Sequence, residues 1–99
     1  MTYFLCKMIL PRSDFAQTMT DSEKNIMKAH GDYLQSLAEG GSIVCDGAVD
    51  DPKGRWWLSI FSTKDQTKVE RLTAANPIIL EDVGTRYEIL PMRQLRMKE

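Results

Sequence analysis

Histidine is nearly missing from this chain: His30 is the only one in 99 residues. Cysteine is scarce as well. Cys6 and Cys45 are too few for a disulfide scaffold and have no metal-ligand spacing, so with one histidine no metal site is expected. An excess of one charge is also lacking: 13 basic residues face 14 acidic ones, interspersed, for a net charge of −1. Nucleic-acid binding leans on a concentrated basic surface, so none is expected. No apolar run approaches the roughly 20 residues of a membrane helix. The apolar stretch Tyr3–Leu10 contains Lys7 and lacks both a basic leader and a small-residue cleavage site, so it does not read as a signal peptide. Repeats and low-complexity segments are absent. What remains is a soluble, reduced, cytoplasmic domain spanning residues 1–99, with 42% apolar residues for a modest core.

Six elements can be read in order. Tyr3–Leu10 is a first strand, ended by Pro11, and Arg12–Thr18 is a connection. Thr20-Asp-Ser-Glu23 fits a capping box and opens a long helix from about Asp21 to Glu39. Gly40-Gly41 ends it, because a left-handed residue past a helix costs glycine least. Ser42–Val49 and Arg55–Ser62 form a hairpin across the turn Asp50–Gly54. Ile43 and Cys45 are expected on one side of its first strand, and Val44 and Asp46 on the other. Thr63-Lys-Asp-Gln66 reads as a second capping box, leading into a helix that lasts to about Ala75. Asn76 before Pro77 stops that helix and can cap a short turn, Pro77–Glu81. Val83–Pro91 is a fourth strand, and Met92–Glu99 a polar tail.

Strand, helix, strand, strand, helix, strand with right-handed crossovers gives an α+β ferredoxin-like split sandwich: a four-stranded antiparallel sheet with both helices on one face. Strands one and three are then central, with strand two at an edge. Cys6 and Cys45 lie two strands apart, roughly 10 Å across the sheet, too far for a disulfide.

The strands are apolar on both sides. Tyr3, Leu5 and Ile9 oppose Phe4, Cys6, Met8 and Leu10, while Trp56, Leu58 and Ile60 oppose Trp57 and Phe61. Helices cover only one set, and leaving the other wet exceeds the apolar patch a monomer normally carries. A second copy of the same sheet is the simplest cover, giving a two-fold homodimer through the sheet face.

His30 lies on the apolar stripe of the long helix, three residues after Met27 and four before Leu34. A half-buried imidazole there serves as a general acid or base. The alternative is a core histidine bonded to a backbone carbonyl. Gly31 beside it would let another backbone approach the ring. Asn76, at the end of the second helix, is within reach of His30 in this topology; an amide oxygen fixes a tautomer but does not stabilise imidazolium as a carboxylate does. Its other reading is a helix cap. Asp46 joins the same cleft if it faces the helices, and otherwise is a solvated edge residue. Tyr33 and Tyr87, with apolar bodies and polar tips, suit a pocket border. Trp56 and Trp57 point to opposite faces, one toward the core and one toward the dimer. Arg93, Arg96 and Lys98 read as a solvated tail.

Ala29-His30-x-x-Tyr33-Leu34, then Gly40-Gly41, a strand with Gly47, and Ala75-Asn76-Pro77 before the last strand resemble the YCII-related domain family over nearly the whole chain. The resemblance implies a ferredoxin-like fold that dimerises as an α+β barrel. It also implies a catalytic pair: a histidine in the first long helix, matched by His30, and an aspartate in an Asp-Pro-Phe-like segment. Asn76-Pro77-Ile78 occupies that second place here, so the carboxylate is missing, unless Asp46 substitutes for it. Asp46-Gly47-Ala48 is a fragment of the Asp-Gly-Pro-Phe hairpin of a related branch.

Three functions compete. One is a cofactor-independent enzyme that moves a proton on a small organic molecule, in a lyase, isomerase or dehalogenase type of step, with His30 and Asn76 as catalytic residues and Asp46 and Tyr33 contacting substrate. Another is a ligand-binding module that has lost the family's aspartate. The third is a domain serving dimerisation and partner contact.

Overall fold

The fold grows from a four-stranded antiparallel sheet. In the computed structural model, which describes residues 1–98, the elements in chain order are β1 (Thr2–Ile9), α1 (Phe15–Thr18), α2 (Asp21–Glu39), β2 (Ile43–Val49), β3 (Trp56–Thr63), α3 (Gln66–Ala74), α4 (Pro77–Leu80) and β4 (Arg86–Met92). The strand order is β2-β3-β1-β4 with every pair antiparallel. This is the expected ferredoxin-like α+β arrangement, with β1 and β3 central.

Local chemistry sets the ends of α2. Thr20 Oγ1 accepts from the Glu23 N–H at 3.1 Å, and the Thr20 N–H donates to Glu23 Oε1 at 2.9 Å. At the other end Gly41 takes φ +85°, and the Ser42 N–H returns to the Leu37 carbonyl. The start of α3 departs from expectation. Thr63 remains in β3, paired with Thr2, and Asp65 is the cap, accepting from the Lys68 N–H at 2.9 Å. The sheet thus extends further than the capping pattern implied. Phe15–Thr18, expected as plain connection, is a short helix whose Phe15 is 1% exposed.

Two apolar clusters fill the space between helices and sheet. Phe4, Cys6, Leu34, Ile43, Phe61 and Val69 form one; Met8, Leu10, Phe15 and Ile78 form the other. Tyr87 packs against both. Along α2, Ile26 and Met27 touch the second cluster and Leu34 and Leu37 the first. His30 falls between them. Burial pushes the Cys6 thiol up to about 12, so that sulfur is an inert part of the core.

A bulge in β2 changes one assignment. Ile43 pairs with Phe61 and Asp46 with Ser59, with the register shifting between Ile43 and Cys45. Phe61 and Ser59 oppose Phe4 and Cys6 on the helix side. Ile43 and Asp46 therefore share the helix-facing side, while Cys45, opposite Ile60, lies on the outer one. Strict alternation had put Ile43 with Cys45; the extra residue of the bulge inverts that grouping.

Candidate functional site

A chain of three neutral polar side chains runs through the seam between the two clusters. His30 on α2 is 2% exposed and Asn76 ahead of α4 is 1% exposed. His30 Nδ1 lies 3.0 Å from Asn76 Oδ1 and 2.8 Å from Asn76 Nδ2. Asn76 Oδ1 also accepts the Ile78 N–H at 3.1 Å, and its Nδ2–H donates to the Tyr87 hydroxyl at 3.0 Å. One amide therefore caps α4, holds the imidazole and ties both to β4. In the tautomer with Nδ1–H donating to Oδ1, both lone pairs of that oxygen are used, and Nε2 keeps its own lone pair. His30 Nε2 is buried with no protein partner among the described residues.

The imidazole is neutral. Burial lowers its proton affinity below the ordinary histidine value, outweighing the Asn76 hydrogen bond and the field of Asp46, which raise it. Burial likewise raises the Tyr87 phenol, and to a lesser extent that of Tyr33. Asp46 is exposed and makes no hydrogen bond to His30, but its charge reaches both His30 and Tyr87 from the helix-facing side of β2.

The structure brings His30 and Asn76 together as expected and adds Tyr87 as their third member. The sequence marked Tyr87 only as a residue suited to a pocket border; it lies 11 residues beyond Asn76, and nothing local pointed to that partner. Tyr33 is placed elsewhere. Its hydroxyl donates to the Leu72 carbonyl at 2.7 Å, fastening α2 to α3. Trp57 packs toward the helices while Trp56 lies on the outer face.

Two expectations are corrected. His30 is enclosed rather than half-buried at a rim, because periodicity reports which side of a helix a residue takes and not its depth. A hollow of about 310 Å³ lies beside Ala29 and Pro77, and one of about 300 Å³ beside Tyr87, Thr85 and Ile89; His30 lines neither. Gly31 faces open space, so no backbone exploits it to approach the ring. Among the described residues no group of three or more His, Cys, Asp or Glu side chains is placed to hold a metal ion.

A split βαββαβ sandwich with a buried histidine–amide pair between its helices defines a small α+β domain of the ferredoxin-like class. A family model for the YCII-related domain matches residues 1–93, and the chain belongs to that family. Among solved structures it is similar to the uncharacterized protein TM1266 from Thermotoga maritima, at 12% identity and a TM-score of 0.52, over 93% of this chain and 96% of that one. No curated protein matches it. Among the described residues no helix is long and apolar enough to cross a membrane.

Proposed function

We propose that the domain acts on a small organic molecule by proton transfer through His30, without a cofactor, in a homodimer formed by the outer sheet faces. The observation that carries this is the unpartnered Nε2 of a neutral, buried imidazole. A buried polar atom left unpaired costs about 1–3 kcal/mol. With Nδ1–H donating to Asn76 Oδ1 that atom carries a lone pair that would take a proton from a ligand; with Nδ1 accepting from Asn76 Nδ2–H it carries an N–H that would give one. Asn76 holds Nδ1, Tyr87 holds Asn76, and Asp46 supplies a negative field that favours the imidazolium formed during transfer. Because the ring is 2% exposed, a ligand reaches it only after the packing around α2 parts.

The dimer rests on the outer face. Leu5, Ile60 and Leu90 lie in one row, with Ile9 and Trp56 two rows on; Leu90 is 55% exposed. A second copy covers this face isologously.

A binding module without turnover is the second reading. Asn76 favours it, because an amide where the family carries a carboxylate does not hold an imidazolium.

The test is a screen of small carbonyl-bearing and halogenated compounds with wild type, His30→Ala and Asn76→Asp. The enzyme reading expects turnover that His30→Ala abolishes while sedimentation still gives a dimer. Turnover retained in that variant removes His30 from the mechanism. Ligand binding without turnover, undisturbed by Asn76→Asp, selects the binding module.

A further inference from the structure

Ring geometry gives His30 a direction. The two nitrogens of an imidazole point to opposite sides of the ring. Nδ1 is held by Asn76, so Nε2 points away from Asn76. Asn76 in turn is tied to Tyr87 on β4, the strand at one edge of the sheet, while α2 packs against β2 at the other edge. Nε2 is therefore aimed toward the β2 flank. Both hollows near the site lie on the Asn76 side, one against Pro77 and the other against Tyr87.

On the β2 flank α2 stops covering the sheet. Ile43 is buried, whereas Asp46 and Ala48, farther along the same helix-facing side, are exposed. Cross-strand register places Ser59 opposite Asp46 and Trp57 opposite Ala48. Asp46 and Trp57 are thus diagonal neighbours, with the small side chains of Ser59 and Ala48 at the other two corners. Ser59 is buried, between Phe61 of the first cluster and Trp57, which packs on the second. The seam that holds His30 on α2 thus runs on, along the sheet, to Ser59 and Asp46. This flank is on the helix side, so a second copy laid on the outer face leaves it free.

Asp46 is the charge of that flank. Among the described residues it joins no ion pair, whereas Glu23, Asp32, Asp50 and Glu88 each lie beside a cation. Its field reaches the His30 ring and the Tyr87 phenol. The inner end of the seam is the unpartnered Nε2. An uncommitted carboxylate at the open end draws a cation toward that nitrogen and repels an anion.

We propose that the β2 flank is the approach to His30 and that it selects a small amine, with the ammonium on Asp46 and the apolar body over Ala48 and Trp57, leading inward to Nε2. This rests on the proton-transfer reading above and narrows its substrate class: a molecule carrying an ammonium group is taken, and carboxylates are turned away. The ammonium gives Asp46 a charge-assisted hydrogen bond.

Benzylamine is the probe, with benzyl alcohol as its uncharged analogue and benzoate as the anion, titrated near neutral pH into the ¹³C,¹⁵N-labelled full chain. Saturable amide shifts are expected in residues 46–48 and 57–59, with the His30 ring carbons moving along the same curve. Benzyl alcohol is expected to bind about tenfold more weakly, and benzoate to give no saturable shift. Asp46→Asn, a change at an exposed position, is expected to weaken benzylamine by about tenfold, to the level of the alcohol. Equal wild-type affinity for amine and alcohol overturns the proposal, as does undiminished benzylamine binding in Asp46→Asn. So do absence of saturable shifts, shifts centred on residues 77–81 or 85–89, or movement at residues 46–48 with a still His30 ring, the mark of a surface carboxylate and nothing more. Failure of the His30 reaction reads differently: turnover is retained in His30→Ala, while benzylamine still depends on Asp46.

Discussion

Among the described residues two pairs of polar side chains join α2 to the rest of the chain, and they are built on opposite principles. At its N-terminal turn, Arg12 and Glu23 meet as a bidentate ion pair, with side chains 37% and 14% exposed. At its middle, His30 and Asn76 meet as a neutral pair, 2% and 1% exposed. The first keeps its charges because water still reaches the guanidinium. The second carries no formal charge, because an unpaired charge at that depth costs far more than an amide–imidazole bond returns. The charged pair is complete in itself: both carboxylate oxygens and the capping N–H are satisfied. The neutral pair leaves one nitrogen open. That contrast separates a fastening from a site.

The largest effect comes from removing the shared amide. Asn76 caps α4, holds His30 and bonds Tyr87. Asn76→Ala removes a cap and strands two buried groups, and is expected to cost about 3 kcal/mol in urea unfolding. A loss under about 1 kcal/mol would mean that the cap alone matters and the seam tolerates an empty amide.

Next in size is the proton balance of His30. Its folded proton affinity lies below the ordinary value of 6.5, so between that value and the folded one only the unfolded chain binds the proton. Stability is then complete above pH 6.5 and falls as the pH drops below it, by at most about 1.4 kcal/mol per pH unit. Asn76→Asp puts a carboxylate against Nδ1, and the two groups titrate together. The imidazole is raised, and if it passes 6.5 the sign reverses: the contribution is present at low pH and lost as pH rises through the new value. ¹³C shifts of the His30 ring, followed from pH 8 to 4, read both. Wild-type titration at the ordinary value would show a hydrated ring and sink the comparison of a dry pair with a wet one.

How much of this was legible depended on how local the cause is. The ends of α2 could be read because Thr20, Glu23 and the glycine pair act within one turn of chain. Asn76 could be read as a cap, since Pro77 is suited to the first position of a helix and to little else at that point. The strand order is set by element order and crossover handedness. The side taken by Asp46 could not be read, because a bulge is a property of the β2–β3 pairing and not of either sequence alone. Asp65, rather than Thr63, caps α3 for a related reason: the Thr2–Thr63 pairing holds that residue in the sheet. Tyr87 joined the site only through the fold, and the enclosure of His30 reflects how closely the two clusters meet over it.

The smallest effect belongs to the charged fastening. The Arg12 hydrogen bonds, then the Thr20 N–H, hold the Glu23 carboxyl down to about 2 against an ordinary 4.5. That contribution is present above pH 4.5 and is lost as the pH falls from there toward 2. Arg12→Gln should therefore lower the thermal midpoint modestly at pH 7, by less than Asn76→Ala, and by progressively less as the solution approaches pH 2. Glu23 should move only part of the way back, since the Thr20 N–H still bonds it. The His30 ring titration should not move at all, because the two pairs meet different parts of the helix and share no partner. A midpoint loss in Arg12→Gln as large as that of Asn76→Ala, or one accompanied by a shifted His30 titration, would mean that the ion pair sets the depth at which α2 packs, and that the neutral pair is buried by the charged one.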